Sequence, residues 1–334
     1  MLQQKPNQLL LKFMAMKILI TGINGFVAQH FLNFLVSQQE DFTVLGLGRS
    51  DVHFDKEKFA PLNIEYIKAD LLNREHVGEI LKHFKPEYLV HLASFSSVGH
   101  SWKNPNDSFV NNTNIFLNLV DQLRLNNIPC RVLSIGSSEE YGNVDPLSLP
   151  LTEVSNLAPI SPYAVARVSQ EMISKIYADG YGMDIVMTRS FNHIGPGQKN
   201  VFVVSSFAKQ LVQIANTPNA NTKVTTGDLS IIRDFVDVRD VARAYYLLLK
   251  HGAKGEVYNI CSGKGISLQA IMGKMCSLLG LEITLERDPG LIRPNDNKII
   301  IGNAEKLHAL TGWAPSFNIN QSLADIIDWW KLNA

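Results

Sequence analysis

A strand, a glycine turn and a helix in succession, at residues 17–28, constrain the fold of this chain more than any other feature. The run Ile18–Ile20 is short and apolar, which is typical of a parallel strand buried on both faces. Gly22 and Gly25 follow, and apolar residues then recur at helical spacing between residues 26 and 35. Free backbone N–H groups and the helix dipole converge where such a helix begins, so the stretch predicts an anion site.

The small residues of this turn suit the pyrophosphate of a dinucleotide. Gly22 allows the tight turn, Gly25 lets the backbone approach the pyrophosphate, and Ala28 lets the helix pack closely on the strand. Two glycines at this spacing also occur in plain tight turns, and it is the flanking strand and helix that favour a dinucleotide. The expected cofactor contacts at the turn are Gly22, Asn24, Gly25, Phe26 and Val27.

Apolar strands alternate with helices through the first half of the chain, which predicts an α/β fold with a Rossmann-type, doubly wound parallel sheet. Further strands are expected at 42–49, 64–69, 88–93, 131–135 and 184–189. Helices are expected at 73–84, 107–126, 162–179 and 203–215. Ligands bind such sheets at the carboxyl ends of the strands, where the expected cofactor contacts are Asp70, Leu71, Leu92 and Ala93.

No low-complexity linker divides the chain, so a smaller substrate lobe should be interwoven with the dinucleotide-binding domain. We expect residues 16–190, with parts of 230–262, to form the dinucleotide-binding domain. The remaining segments of 191–334 should form a C-terminal nucleotide-sugar lobe. Residues 1–15 precede the first core strand and are expected to be a peripheral extension.

The composition argues against several other classes of protein. Lys plus Arg equals Asp plus Glu at 31 each, so no global field attracts nucleic acid or an anionic membrane. No apolar run approaches the roughly 20 residues of a membrane helix. Cys130, Cys261 and Cys276 lack metal-ligand spacing, which predicts reduced thiols, no metal site and a cytoplasmic location.

The end of the second strand bears on which dinucleotide binds. A site for NAD usually places an acid there, where it binds the ribose 2′-hydroxyl. This chain has Arg49 at that position, and Asp51 lies past the strand. A cation suits a 2′-phosphate, which favours NADP(H), with NAD(H) as the alternative if Arg49 is an ordinary solvated arginine.

The candidate catalytic residues follow the fifth strand. Serine and proline at 161–162 suit the start of a helix, because serine caps and proline fits the first helical position. Tyr163 and Arg167 then share a face of that helix at spacing i and i+4. Ser137, at the strand end, stands four residues before a Tyr-Gly pair.

Together with the glycine turn, these motifs resemble the extended short-chain dehydrogenase/reductase family (NAD-dependent epimerase/dehydratase family) over residues 17–331. The resemblance implies that Tyr163 donates a proton, that Ser137 binds the same substrate oxygen, and that both Tyr163 and position 167 contact the cofactor. The family has lysine where this chain has Arg167. Arginine keeps the positive charge that favours a tyrosinate, but its planar fork differs from an ammonium, so an effect on the rate is expected.

The resemblance also implies residue roles in the second half. The family places the segment 190–198 between nicotinamide and sugar, which makes Phe191 and His193 cofactor candidates and Asn192 a substrate candidate; His193 could equally be a packed loop histidine. Two arginines match residues that clamp a nucleotide diphosphate, and one aspartate matches a residue that binds the nucleotide ribose. These and the other implied substrate contacts are Arg233, Arg293, Asp296, Ser97, Val98, Asn112, Ser138 and Lys209.

Within the family, the stretches 135–142, 191–198 and 233–240 are most similar to GDP-4-keto-6-deoxy-mannose reductases. This likeness implies reduction of the C4 keto group of a GDP-linked sugar. A GDP-sugar 4,6-dehydratase or epimerase is the alternative, since Glu139 stands where dehydratases keep a base. A binding protein with little catalysis, because of Arg167, is a third hypothesis. The family also implies a homodimer through a four-helix bundle of helices 107–126 and 162–179.

Overall fold

A parallel sheet of seven strands is the largest element of the computed structural model, which describes residues 15–52, 57–217, 222–292 and 295–334. Strands are numbered along the chain. Those of the described residues are β1 Met16–Thr21, β2 Phe42–Gly48, β3 Asn63–Lys68, β4 Tyr88–His91, β5 Arg131–Ser137, β6 Ile185–Ser190, β7 Asn192–Ile194, β8 Lys223–Thr226, β9 Ile232–Asp237, β10 Val257–Ile260, β11 Gly265–Ser267, β12 Thr284–Arg287 and β13 Ile299–Ile300. The large sheet has the order β10-β6-β5-β4-β1-β2-β3.

Helices cover both faces of this sheet. Those of the described residues are α1 Phe26–Val36, α2 Arg74–Phe84, α3 Val98–Lys103, α4 Pro105–Phe109, α5 Ile115–Leu125, α6 Pro162–Gly180, α7 Val203–Asn216, α8 Val238–His251, α9 Leu268–Leu279, α10 Glu305–Thr311 and α11 Ile319–Asn333. Alternate strand residues contribute to two separate cores, one with α1 and α8 and one with α2, α5 and α6. This arrangement places helices on both sides of a buried parallel sheet.

The chain order changes direction between β1 and β4. From β1 the sheet grows through β2 and β3 on one side, and through β4, β5 and β6 on the other. The loops at the carboxyl ends of β1 and β4 therefore run to opposite faces of the sheet. Open α/β sheets bind ligands in the crevice between two such loops. The strand pairs of the large sheet are all parallel, as the predicted Rossmann-type fold requires, and the fold class is confirmed.

A smaller unit lies beyond these strand ends. Here β9 pairs with β7, β11 and β13, while β8 pairs with β12. A third core formed largely by α7, α9 and α11 packs beneath it. The proposed division into two domains stays a prediction, but β10, from late in the chain, does complete the large sheet. Residues 1–14 of the expected N-terminal extension lie outside the described residues.

Several boundaries differ from those expected by one residue, and β5 extends two residues further, to Ser137. Two other differences bear on the site. β4 ends at His91, two residues early, so that Ala93 belongs to a loop. The helix expected at 107–126 consists of α4, a π-helical turn at Val110–Asn114 and α5. The π turn contains Asn112, whose buried side chain bonds to the loop after β4, as described below. None of the described helices is long and apolar enough to cross a membrane.

Candidate active site

The glycine turn after β1 leaves the start of α1 open. Gly22 has a φ of +70°, and a Cβ there would lie 2.8 Å from the backbone nitrogen of Ala93. Only glycine fits this position without strain. Gly25 is the N-cap of α1, its N–H donates to the Gly22 carbonyl over 2.8 Å, and no side chain among the described residues caps it. Phe26 and Val27 are the first residues of the helix, so the expected turn contacts surround an uncapped helix end that fits a pyrophosphate.

A cleft of about 160 Å³ lies beside this turn, at the ends of β2, β3 and β4. Arg49 borders it with its guanidinium 4.9 Å from the centre of the Phe95 ring, and its Nη1 donates to Asn111 over 3.2 Å. The arginine is exposed, so its charge remains accessible to an anion. The cleft is lined by Gly22, Leu47, Gly48, Arg49, Ala69, Asp70, Leu71, Ala93, Ser94, Phe95, Asn111 and Ile115. The structure therefore brings together the predicted residues Gly22, Arg49, Asp70, Leu71 and Ala93.

Two other predicted residues shape the rim of this cleft. The Asn24 side chain donates to the backbone carbonyl of Asp51 over 3.0 Å and so ties the glycine turn to the end of β2. A carboxylate oxygen of Asp70 accepts the N–H of Leu72 over 3.0 Å, which holds the turn after β3. Both side chains fix loops around the cleft, as a preformed ligand site needs.

A buried histidine lies beneath the glycine turn. His91 Nδ1 and the Thr21 hydroxyl are 2.9 Å apart, and the same hydroxyl accepts the N–H of Ala93 over 3.1 Å. The Leu92 N–H donates to the Thr21 carbonyl over 3.2 Å. Burial, together with the nearby charge of Arg167, lowers the pKa of His91 to about 3. The imidazole is therefore neutral and serves to tie the ends of β1 and β4 together.

Tyr163 and Arg167 form a buried pair on the first turns of α6. Ser161 caps this helix by accepting the N–H of Ala164 over 3.1 Å. The Arg167 Nε–H donates to the Tyr163 phenol oxygen over 3.2 Å, and Nη1 donates to the Ile135 carbonyl of β5 over 2.9 Å. The i to i+4 spacing thus has the predicted consequence, because a permanent cation contacts the phenol oxygen.

Gln170 extends this pair into a buried network that the sequence analysis did not find. Its Oε1 accepts from Arg167 Nη1 over 2.6 Å, and its Nε2 donates to the Ser134 hydroxyl over 2.9 Å. The Ser174 hydroxyl in turn contacts Ser134 over 2.9 Å. The planar fork of the arginine therefore has partners on both its own helix and the neighbouring strand.

Ser137 ends β5 and begins a short 3-10 turn, Ser138–Tyr141. Its hydroxyl oxygen accepts the N–H of Glu139 over 3.2 Å, which leaves the hydroxyl hydrogen available to another acceptor. Because Arg167 holds the Ile135 carbonyl, the hydroxyl and the phenol are linked through one strand and one helix. Glu139 is half-buried immediately after Ser137.

The loop after β4 carries other predicted substrate contacts. Ser97 caps α3 by accepting the N–H of His100 over 3.2 Å, and Val98 begins that helix. Asn112 uses both ends of its amide on the backbone of Phe95, accepting its N–H over 2.8 Å and donating to its carbonyl over 3.1 Å. In this structure Asn112 thus holds the loop. Ser138, another predicted contact, is buried in the turn after Ser137.

The two aromatic residues of the segment after β6, Phe191 and His193, lie in different surroundings. The Phe191 side chain is fully buried in a small core with Tyr141 and Cys261, and it is not among the residues that line the cleft beside the glycine turn. His193 lies in β7 with Asn192, and its ring is 6.3 Å from the Phe26 ring at 17° to it. Burial lowers the pKa of His193 to about 4, so this imidazole is neutral too.

The smaller unit contains a larger cleft of about 270 Å³, lined by Asp228, Ile231, Leu291, Ile292, Asn295, Asp296 and Lys298. Arg233 donates to Asp296 over 2.8 Å, so two predicted substrate residues are paired at its edge. Lys209 lies with its ammonium 5.3 Å from the centre of a Trp330 ring. Arg293 lies outside the described residues. The binding roles of all these residues stay predictions.

The sequence is similar to a known protein family and to several characterised relatives. A family model described as GDP-mannose 4,6 dehydratase matches residues 19–326. GDP-6-deoxy-D-mannose reductase of Pseudomonas aeruginosa is 31% identical over 318 residues, which cover 95% of this chain and 98% of that protein. GDP-6-deoxy-D-talose 4-dehydrogenase of Aggregatibacter actinomycetemcomitans is 27% identical, over 89% of this chain and 92% of the relative.

Solved structures are similar over nearly the whole chain. The structure of RMD from Pseudomonas aeruginosa complexed with NADPH has a TM-score of 0.83 and 29% identity, and covers 96% of this chain and 100% of that one. UDP-glucose 4-epimerase of Thermotoga maritima with UDP-glucose has a TM-score of 0.84 and 25% identity, over 95% and 99% of the two chains. From its sequence and its fold, the chain belongs to the GDP-mannose 4,6-dehydratase family of extended short-chain dehydrogenases/reductases.

Proposed function

We propose that this protein catalyses the NADPH-dependent reduction of the C4 keto group of a GDP-linked 4-keto-6-deoxy sugar. The observation that carries the proposal is the buried Tyr163–Arg167 pair, anchored to the strand that ends in Ser137. A phenol next to a permanent cation can give up a proton, and a nearby hydroxyl can stabilise the oxygen that receives it. The reductase relative, at 31% identity, supports this reaction type.

The chain's own residues divide the chemistry between them. Tyr163 donates a proton to the oxygen that develops at C4, and the Ser137 hydroxyl donates a hydrogen bond to the same oxygen. The Arg167 Nε–H, already on the phenol oxygen, stabilises the tyrosinate that remains. These three groups are held by strand and helix rather than by loops, which limits reorganisation during the reaction.

The cofactor site is the glycine turn with the cleft beside it. Gly22 and Gly25 would receive the pyrophosphate, and Arg49 would pair with a 2′-phosphate, which makes NADP(H) the favoured cofactor and NAD(H) the alternative. The bound cofactor supplies the hydride. The similar Pseudomonas aeruginosa structure contains NADPH, which agrees with this choice.

The larger cleft of the smaller unit is the place for the nucleotide of the substrate. Its apolar walls, among them Ile231 and Leu291, suit the faces of a base. Asp228 and Lys298 pair with each other over 2.6 Å in this structure, and they would have to separate to bind the edge of the base. Arg233 donates to Asp296 in the lining of this cleft, and its fork suits phosphate oxygens once it turns from that carboxylate. Competition between GDP and UDP for the chain tests this part, and tighter binding of UDP would contradict it.

The reaction itself is tested by following NADPH consumption with GDP-4-keto-6-deoxymannose. One NADPH should disappear per product formed. Tyr163→Phe should lower kcat by about 10²–10⁴-fold and Ser137→Ala by about 10²–10³-fold. Tyr177→Phe is the matched control, because it also removes a phenol oxygen from α6, but one that bonds to Asp121. Full turnover in both site variants would refute the assignment.

A GDP-sugar 4,6-dehydratase or epimerase is the second candidate, and the position of Glu139 favours it. This half-buried carboxylate follows Ser137 directly and could remove a proton from the sugar. The matching family model carries a dehydratase description. Incubation with GDP-mannose decides the matter, because a dehydratase forms a keto product with no net consumption of cofactor. Glu139→Gln should abolish that product.

We also propose that two copies associate through α6 and the neighbouring segment α4–α5. Val165, Met172 and Ile176 lie on one face of α6 and are 43%, 45% and 61% exposed. Phe109, at the end of α4, is 40% exposed. The opposite faces of these helices pack on the chain's own sheet, so this apolar stripe is what remains for a four-helix contact.

A further inference from the structure

Glu140 is a fully buried carboxylate next to Ser137, and the proposed reaction does not use it. Its Oε1 accepts the backbone N–H of Ser137 over 2.6 Å and closes a capping box around the turn Ser138–Tyr141. A Cβ on Gly136 would lie 2.4 Å from the same oxygen, so the side chain fits tightly against the strand end. Glu140 therefore controls the backbone of the residue whose hydroxyl is to face the substrate.

The charges around Glu140 do not balance if it is ionised. The charged groups that face it are Glu171 from α6 and Arg189 from β6, both of which are nearly fully buried. Arg189 makes a two-pronged pair with Glu171, over 2.8 and 2.7 Å, which already cancels its charge. An ionised Glu140 would add an uncompensated negative charge beside Glu171, which is costly in a protein interior.

The second carboxyl oxygen of Glu140 leads to the same conclusion. Oε2 is buried, and it meets no hydrogen-bond donor among the described residues. A carboxylate oxygen in that position would lose its hydration without compensation. A protonated oxygen could instead donate to the neighbouring Glu171 carboxylate. Burial and the Glu171 charge accordingly raise the pKa of Glu140 well above its usual range.

We propose that Glu140 works as a neutral carboxylic acid whose proton, shared with Glu171, positions Ser137 for the reaction. In the proposed arrangement one oxygen of the acid accepts the Ser137 N–H and the other donates to Glu171, so both carboxyl oxygens of Glu140 have a partner. Glu140 is a positioning residue, because it acts through the backbone of Ser137. The inference rests on the proposed function where it gives Ser137 a part in catalysis.

Two substitutions separate the neutral acid from an ionised one. Glu140→Gln keeps the shape, the acceptor for Ser137 and a donor for Glu171, so kcat at neutral pH should stay within about twofold of the wild-type value. Glu140→Leu removes both hydrogen bonds, and kcat should fall by about 10–10²-fold with little change in KM. Deprotonation of Glu140 beside Glu171 should add to the loss of wild-type activity at alkaline pH, so wild-type activity should fall at a lower pH than that of Glu140→Gln. If Glu140→Gln is as impaired as Glu140→Leu, the proposal is wrong.

An infrared measurement tests protonation without substrate. The wild-type chain should show the carbonyl stretch of a protonated carboxylic acid at neutral pH, and that band should be missing from Glu140→Gln. Absence of the band from the wild-type spectrum would overturn the proposal even if Glu140→Leu fails to fold. Because this readout needs no turnover, it stands apart from the NADPH assay, whose failure would count against the proposed reaction alone.

Discussion

Replacing Arg167 with lysine tests whether the arginine is adapted to this site or has impaired it. Arg167 donates to three acceptors, the Tyr163 oxygen, the Ile135 carbonyl and the Gln170 side chain. In Arg167→Lys, an ammonium that reaches the phenol oxygen cannot also make the contacts that the far end of the guanidinium makes. The Ile135 carbonyl keeps a donor, Gln170 Nε2 at 3.2 Å, but Gln170 Oε1 loses its partner inside the protein.

The cost can be worked from these contacts. An orphaned buried acceptor costs about 1–3 kcal/mol, and the lost charged hydrogen bonds and packing add to it. We expect Arg167→Lys to lower the free energy of unfolding by about 3 kcal/mol, measured by urea denaturation. Arg124→Lys is the control, since this partly exposed arginine bonds to Asp121 at the protein surface, and the change should cost much less stability than Arg167→Lys.

The activity of the same variant separates two hypotheses. If the arginine is the working cation of this enzyme, Arg167→Lys should reduce NADPH consumption, because the phenol loses the rigid donor that now contacts it. A variant that is equally stable and more active would refute this reasoning. That result would instead support a protein that binds a nucleotide sugar but has little catalysis of its own.

Four further outcomes follow from the structure. Gly22→Ala should cost more stability than Gly182→Ala, as calorimetry can measure. Both glycines have φ +70°, so a backbone strain of about 1–2 kcal/mol is common to the two variants, but only the Cβ at Gly22 meets backbone atoms. Arg49→Gln should raise KM for NADPH about tenfold and leave KM for NADH unchanged, since only NADPH carries the 2′-phosphate. Glu140→Gln should flatten the pH dependence of the free energy of unfolding. Above the ordinary glutamate pKa of 4.5, the folded wild-type chain keeps a proton that the unfolded chain releases. The stability of the wild-type chain therefore falls by about 1.4 kcal/mol per pH unit up to the raised pKa of Glu140. Ile176→Asp should shift the size of the protein in light scattering from two chains to one, and an unchanged size would exclude the α6 stripe as the contact.

The parts of the site that depend on local spacing were predictable from the sequence. Gly22 and Gly25 are three residues apart, and Tyr163 and Arg167 are one helical turn apart, so the backbone period alone brings each pair together. Strand runs of four to seven buried residues, such as β6, are readable because parallel strands are buried on both faces.

The buried polar cluster could not be found in the same way. Glu140, Glu171 and Arg189 come from three elements, and only the pairing of β5 with β6 and the packing of α6 bring them together. Motif reasoning likewise does not tell how a side chain packs. Phe191 is part of a recognised stretch, but its ring lies against Gly302, which is far along the chain. Gln170 differs from these residues, because its position three residues after Arg167 in one helix predicts the contact between the two side chains.

The last strand to join the large sheet has a consequence for how the protein is made. β10 comes from residues 257–260 yet pairs with β6, whose six residues are all buried. While the ribosome is still adding the intervening 66 residues or so, β6 has an unprotected edge that can pair with other nascent chains. A gene fragment that stops at residue 190 should therefore yield inclusion bodies rather than a free-standing nucleotide-binding module.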